Sequence, residues 1–313
     1  MAQMNYAKEV ERALENWYFA GQDATPTPIF NAIQLGLEND MQFIVPVHTP
    51  DSAEELMVSA EQIKFKELET NDPKMRGKYF IPLFTSPKEV DKGEETVVID
   101  RTLREMIDVL DYRPNCLGFI INPWDKKMVI TRETLDVILK HELKSHINII
   151  NGSVLYVHAD AIVNAANESL LGGGGVDGAI HKAAGPQLLE ACKALGGCPT
   201  GGAKMTSAFK LKNADYIIHA VGPKYTGDEN DSKLLAACYM NSLELAWRNG
   251  CMSVAFPGIS TGVYGYPLEE AAKISLSAVV RWFELHPDVT LNVYFCCFRA
   301  EEMEVYKNLT QKR

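Results

Sequence analysis

The run Asp160-Ala-Ile-Val-Asn-Ala-Ala-Asn-Glu-Ser-Leu-Leu-Gly-Gly-Gly-Gly-Val-Asp-Gly178 decides how the second half of this chain is read. Asp160 to Asn164 has the apolar character of a buried strand, and a glycine-rich loop then carries the chain into a helix starting near Val176. Gly172, Gly173, Gly174 and Gly175 have no side chains, so the backbone can come within hydrogen-bonding distance of a ligand. The helix N-terminus behind them adds free N–H groups and a positive dipole end, for which phosphate is the natural guest. In open α/β sheets ligands bind outside the carboxyl ends of strands, and that is where this loop lies.

A second loop of the same kind, Gly258-Ile-Ser-Thr-Gly-Val-Tyr-Gly265, follows the strand-like Val254-Ala-Phe-Pro257 and leads to a helix near Leu268. Two such loops can grip one pyrophosphate from opposite sides. Neither is followed by Gly-Lys-Ser/Thr, so a P-loop is excluded. Gly173, Gly175 and Gly178 satisfy Gly-x-Gly-x-x-Gly by spacing, but a loop separates them from the strand, against the dinucleotide fingerprint. Kinase, ATPase and dehydrogenase readings lose ground on these counts. Either loop alone is as often a tight turn or a helix entry, and it is the pair in a strand-loop-helix setting that points to binding.

Outward from these loops, strands are expected at 147–150, 161–164, 216–221, 253–257 and 291–295, and helices at 177–184, 233–249, 268–285 and 301–309. Strands alternating with helices argue for an α/β domain, a sheet with a parallel core between helices, over residues 144–313. Residues 1–143 read differently. Tyr6, Val10, Leu14 and Trp17 recur at helical spacing, helices are expected at 101–110 and 131–143, and short apolar runs at 43–47, 79–84 and 117–121 end in turn residues. That is a smaller α+β domain with a mostly antiparallel sheet; the polar segment 140–146 marks the boundary.

The totals fit two soluble domains: 313 residues with 46% hydrophobic and 23% charged residues. The start of the chain lacks the apolar core of a signal peptide, and nowhere do about 18 apolar residues run together, so a cytoplasmic protein without a membrane partner is expected. Seven cysteines, an odd number with no Cys-x-x-Cys pair, read as reduced core thiols rather than disulfides or a zinc site. Residues 1–140 hold 24 Asp+Glu against 16 Lys+Arg, which leaves 41 − 24 = 17 against 31 − 16 = 15 for the remainder. Neither half has the basic surplus on which nucleic-acid binding relies, so an anion in the second half has to be held mainly by backbone N–H groups.

Asp160-Ala-Ile-Val-Asn-Ala-Ala-Asn167, Leu171-Gly-Gly-Gly-Gly-Val-Asp-Gly178, Ala179-Ile-His-Lys-Ala-Ala-Gly185 and Ser260-Thr-Gly-Val-Tyr-Gly265 resemble the macrodomain family. The likeness extends to Gly197-Cys-Pro-Thr-Gly201 and His219-Ala-Val-Gly-Pro223 and covers roughly residues 147–313. More narrowly, these motifs resemble the branch that hydrolyses ADP-ribose from proteins and deacetylates O-acetyl-ADP-ribose. The resemblance implies a mixed sheet between helices, with ADP-ribose or an ADP-ribosylated protein as partner and no metal or other cofactor.

By residue, the resemblance implies that Asn167 hydrogen-bonds the distal ribose and that Asp177 is the carboxylate implicated in catalysis. The helix-start position of Asp177 beside the expected phosphate agrees with that role, although helix N-termini favour acidic residues in any case. Asn167 alone would more often be a turn residue. Asn164, the four glycines, Val176, Ser260, Thr261, Gly262 and Val263 are expected around the ligand, with Tyr264 near the distal ribose and Phe298 under the adenine. His181 and His219 are read as packing residues. One departure stands out: most family members have Gly-Asp-Ile after the first strand, where the Asp accepts from the adenine amino group, and this chain has Gly152-Ser153-Val154. Weaker ADP-ribose binding is the expectation.

From about Asn16 to Leu139 the chain resembles the SseB N-terminal domain, through Phe43-Ile-Val-Pro46, Tyr79-Phe-Ile-Pro-Leu-Phe-Thr-Ser86 and Gly118-Phe-Ile-Ile-Asn-Pro123. That family implies an accessory module without assigned catalysis. The sequence therefore favours an ADP-ribosyl-ester hydrolase, with a non-catalytic ADP-ribose reader or an adaptor as the rivals.

Overall fold

A computed structural model describes residues 5–21, 25–48, 63–70, 72–140 and 146–311. The chain divides into two compact units, Asn5–Leu143 and Lys144–Arg313.

The first unit begins with α1 (Tyr6–Ala20), whose Val10, Ala13 and Leu14 are buried and whose N-terminus is capped by Asn5 accepting from the Lys8 N–H at 3.0 Å. It continues through α2 (Thr27–Glu38), β1 (Gln42–Val47), β2 (Leu68–Glu69), β3 (Tyr79–Leu83), α3 (Pro87–Val90), β4 (Val97–Thr102), α4 (Leu103–Asp111), β5 (Cys116–Ile121), β6 (Met128–Thr131) and α5 (Arg132–Leu139). Strands β1 and β4 pair antiparallel, and a second sheet runs β2-β3-β5-β6. Its outer pairs are antiparallel and β3 and β5 are parallel, so pairing in this unit is mostly antiparallel, and the crossover through α3, β4 and α4 connects the parallel pair. α2 was not among the expected helices; Pro28 occupies its first turn, where a missing N–H costs nothing. The expected continuation of α5 over 141–143, and most of the boundary segment, lie outside the described residues.

The second unit comprises β7 (His146–Asn151), β8 (Ala161–Ala166), α6 (Gly175–Ala184), α7 (Pro186–Leu195), β9 (Ala203–Ser207), β10 (Tyr216–Val221), α8 (Glu229–Arg248), β11 (Ser253–Phe256), α9 (Leu268–Leu285), β12 (Asn292–Cys297) and α10 (Ala300–Gln311). Its six strands order as β7-β12-β11-β8-β10-β9, all parallel except β9, which runs antiparallel to β10 at the edge. The sheet is thus mixed, with helices on both faces, in accord with the expected α/β class. Alternation along β8 shows the layering. Ala161 and Val163 pack into the core shared with α8 and α9, and Ile162 packs into the opposite core with residues of α6 and α7.

The chain leaves β8 for β10 on one side and returns through α8 to β11 on the other, so β8 and β11 flank a switch point in strand order. Loops diverge there, which opens a crevice at the carboxyl ends of the strands. All seven cysteines are buried free thiols, as their scatter suggested. Among the described residues no helix is long and apolar enough to cross a membrane.

Candidate functional site

The crevice holds two adjoining cavities, of about 270 and about 520 Å3. Gly175, Val176, Gly258 and Gly262 line both, so the two glycine loops face each other across one continuous cleft. Their local folding follows from the sequence. Asn167 closes the first loop on itself: its Oδ1 accepts from the Ser169 N–H at 3.0 Å and hydroxyl at 2.6 Å, while Nδ2 donates to the Gly172 carbonyl at 2.9 Å. Gly175 sits at φ +61°, a left-handed conformation that favours glycine. Gly178 is required for space, because a Cβ there would stand 2.6 Å from the Gly173 carbonyl oxygen.

Helix α6 has Gly174 at its N-cap and no side-chain cap, so its first N–H groups are left for whatever enters the cleft. On the facing loop Ser260 holds φ +65°, and its buried Oγ has no hydrogen-bond partner. A buried hydroxyl without a partner is a costly arrangement unless a ligand completes it.

Asp177 lies on the wall of the smaller cavity with only 3% of its surface exposed. Asn164 Nδ2 donates to its Oδ1 at 2.7 Å, and Oδ2 lies on the Gly173 side, where an added Cβ would be 3.0 Å away. Burial pushes this carboxyl above its ordinary value, opposed by the Asn164 hydrogen bond and by the charge of His181. His181 Nε2 is 3.4 Å from Oδ1 but makes no hydrogen bond, the alignment being poor.

The expected site residues separate clearly. Asn167, Gly173, Gly174, Asp177, Ser260, Val263 and Tyr264 line the smaller cavity; Ser153, Thr261 and Phe298 line the larger; Gly175, Val176 and Gly262 line both. Asn164 and Gly172 line neither. Asn164 was expected at the ligand but is fully buried behind Asp177, because strand alternation turns its side chain into the core beneath the loop. Gly172 contributes its carbonyl to Asn167 instead. Phe298 is 76% exposed at the cleft rim rather than packed in a core.

Sequence reasoning passed over Arg299 and Glu302, which line the larger cavity beside Phe298. Glu302 accepts from the Phe298 N–H at 2.7 Å and from the Arg299 N–H and guanidinium, so its carboxylate is already committed. Their i, i+3 spacing at the start of α10 was a visible signal. Lys224, also unremarked, stands 5.8 Å from the centroid of the Tyr264 ring.

A Macro domain model matches residues 163–275. An O-acetyl-ADP-ribose deacetylase of Enterobacter cloacae is 49% identical over 176 residues, which cover 55% of this chain and 97% of that protein. The human ADP-ribose glycohydrolase MACROD2 is 47% identical over 179 residues, but the match spans only 41% of its length and 56% of this chain. Among solved structures, an Oceanobacillus iheyensis macrodomain with ADP aligns at a TM-score of 0.51 and 41% identity, covering 55% of this chain and 96% of that one. All these likenesses fall on the half of the chain that carries the cleft, and through that half the protein belongs to the macrodomain family.

Proposed function

We propose that residues 144–313 form a macrodomain that hydrolyses ADP-ribosyl esters, releasing mono-ADP-ribose from acidic side chains of proteins, acetate from O-acetyl-ADP-ribose, or both. In either case one water is consumed and ADP-ribose is a product, with the freed carboxylic acid as the other. The observation that carries this reading is Asp177: a nearly sealed carboxylate held by Asn164 at the wall of a cleft otherwise built for an anion. A site that only recognised phosphate would be weakened by a negative charge there.

In this reading the first turn of α6 and the loop from Gly258 to Gly262 hold the pyrophosphate, and Ser260 Oγ finds its missing partner on it. Asn167 orients the distal ribose with the amide hydrogen not used by Gly172, and Tyr264 packs beside it. Asp177 polarises the attacking water. Ser153, Thr261 and Phe298 receive the adenosine end in the larger cavity. Residues 1–143 act as an SseB-like accessory module for a protein partner, and the whole works in the cytoplasm.

The rival is a reader that binds ADP-ribose without turnover, favoured by the engagement of the Asn167 amide within its own loop. Incubating the chain with a Glu-linked mono-ADP-ribosylated protein and with O-acetyl-ADP-ribose separates the two. Release of ADP-ribose that is lost in Asp177→Ala supports the hydrolase; no release at high enzyme concentration favours the reader.

A further inference from the structure

Behind Asp177 lies a chain of polar side chains that the reaction itself does not touch. Parallel pairing of β8 with β10 places His219 directly beside Asn164 in register. His219 Nδ1 is 3.1 Å from Asn164 Nδ2, and on the far side of the ring Nε2 is 3.0 Å from Thr206 Oγ1 on β9 and 3.6 Å from Cys192 Sγ on α7. Asn164 and His219 are both fully buried.

The partners fix the protonation pattern. Asn164 Nδ2 is a donor, so Nδ1 must present its lone pair, and the ring proton sits on Nε2 and is donated to Thr206. Burial holds the imidazole neutral, with its pKa brought down to about 4 from 6.5, with the charge of His181 adding to the effect. The two amide hydrogens of Asn164 are then both assigned, one to Asp177 Oδ1 and one to His219 Nδ1. Turning the amide over would set its oxygen against a carboxylate oxygen, and against a ring lone pair for as long as Thr206 keeps the ring proton on Nε2.

We propose that His219 is a positioning residue: by accepting from Asn164 it locks that amide in the orientation that holds Asp177 at the cleft wall. The inference rests on the hydrolase reading for its kinetic consequence but not for its structural one. Asp177 is faced by His181 on its own helix, by His219 through Asn164, and by the Cys192 thiol on α7, whose own pKa is raised to about 11, first by burial and then by Asp177. Of these, only His219 sets the amide that donates to Asp177.

The test uses the full chain and two variants. His219→Phe keeps a ring without the acceptor; Thr206→Val leaves the ring in place without the oxygen that accepts its Nε2–H. The titration of the Asp177 carboxyl is followed by carbon NMR, with Asp177→Asn identifying the signal, and kcat and KM are measured across pH with O-acetyl-ADP-ribose. Loosening the amide weakens the hydrogen bond that favours the carboxylate form, so the midpoint should move up by about one unit in His219→Phe and less in Thr206→Val. The acid limb of kcat should follow it, so that kcat on that limb is about tenfold lower while KM stays within about twofold. A variant that binds ADP-ribose as the wild type does and yet titrates at the wild-type midpoint would overturn the inference. If His219→Phe does not fold, an unmoved midpoint in Thr206→Val overturns it alone. A shifted midpoint in a protein without turnover would sink the hydrolase reading and leave the positioning role standing.

Discussion

Asn164 donates to Asp177 across 2.7 Å, and between them the two side chains expose almost nothing to solvent. A strand residue that never reaches the cleft thereby decides the chemistry of one that does. The pair also explains why the carboxyl, raised by burial, is not raised further: the amide hydrogen bond opposes desolvation.

Replacing Asn164 by Leu preserves bulk and removes the donor. Leaving a buried carboxyl without its partner should lower stability by about 1 to 3 kcal/mol, measured by urea denaturation at neutral pH. The Asp177 pKa should rise further, so that the carboxylate fraction falls at any given pH and the acid limb of turnover moves to higher pH. Unchanged stability and an unchanged pH profile would count against the pairing.

Ser153 faces the larger cavity, and its Oγ accepts from the Leu155 N–H at 3.3 Å. With Glu302 committed to Phe298 and Arg299, no uncommitted carboxylate lines that cavity among the described residues. Ser153→Asp should restore a charge-assisted acceptor for the adenine amino group worth about 1.5 to 3 kcal/mol, a gain in affinity of at least about tenfold. Calorimetry with ADP-ribose decides it, and equal affinities would remove Ser153 as the weak point.

Gly178 and Gly262 should both lose affinity on replacement by alanine but differ in stability. A Cβ at Gly178 meets the Gly173 carbonyl, which is backbone and cannot swing aside, so the loop must shift at a cost of about 1 to 3 kcal/mol and ligand affinity falls with stability. A Cβ at Gly262 meets nothing within 4 Å, so Gly262→Ala should melt as the wild type does while binding ADP-ribose more weakly, its methyl standing where a phosphate approaches. Thermal melts paired with calorimetry distinguish the two; matching behaviour would contradict the cleft geometry.

His219 makes stability depend on pH in a stated direction. Its folded pKa is about 4 against 6.5 for an ordinary histidine, so between these values the unfolded chain binds the proton and the folded one does not. The contribution is whole above the upper value and is lost as pH falls through the window, to a total of roughly 3 kcal/mol. Asp177, shifted upward, works against that slope. The difference in unfolding free energy between wild type and His219→Phe should therefore shrink from pH 7 to pH 5, and a constant difference would refute the buried neutral imidazole.

How much of this was readable in advance depended on what each residue had to tell its neighbours in sequence. The helix at 268–285 was read with its observed bounds because its apolar periodicity is uninterrupted between Pro267 and His286. The sequence reading began α8 at Lys233, but the helix starts four residues earlier at Glu229, capped by Asp228, which accepts from the Asn230 N–H. β9 was not expected because an edge strand with half-buried Ala203, Lys204 and Met205 carries no apolar run, and α7 because it follows α6 directly, with Gly185 ending one helix and capping the next. The glycine loops, Asn167 and Asp177 were visible as motifs. The burial of Asn164 and its contact with His219 were not, since they depend on the pairing of strands more than fifty residues apart.

The buried thiols give the molecule an internal gauge of its own opening. Cys116 is the single cysteine of the first unit, at the start of β5, while the other six lie in the second unit. Burial raises the Cys116 thiol above its ordinary pKa, and its sulfur is shut away from solvent, so reagent can reach it only when the strands around it part. Modification of that one sulfur therefore times the breathing of the first unit separately from that of the unit that carries the cleft, without a label or a mutation.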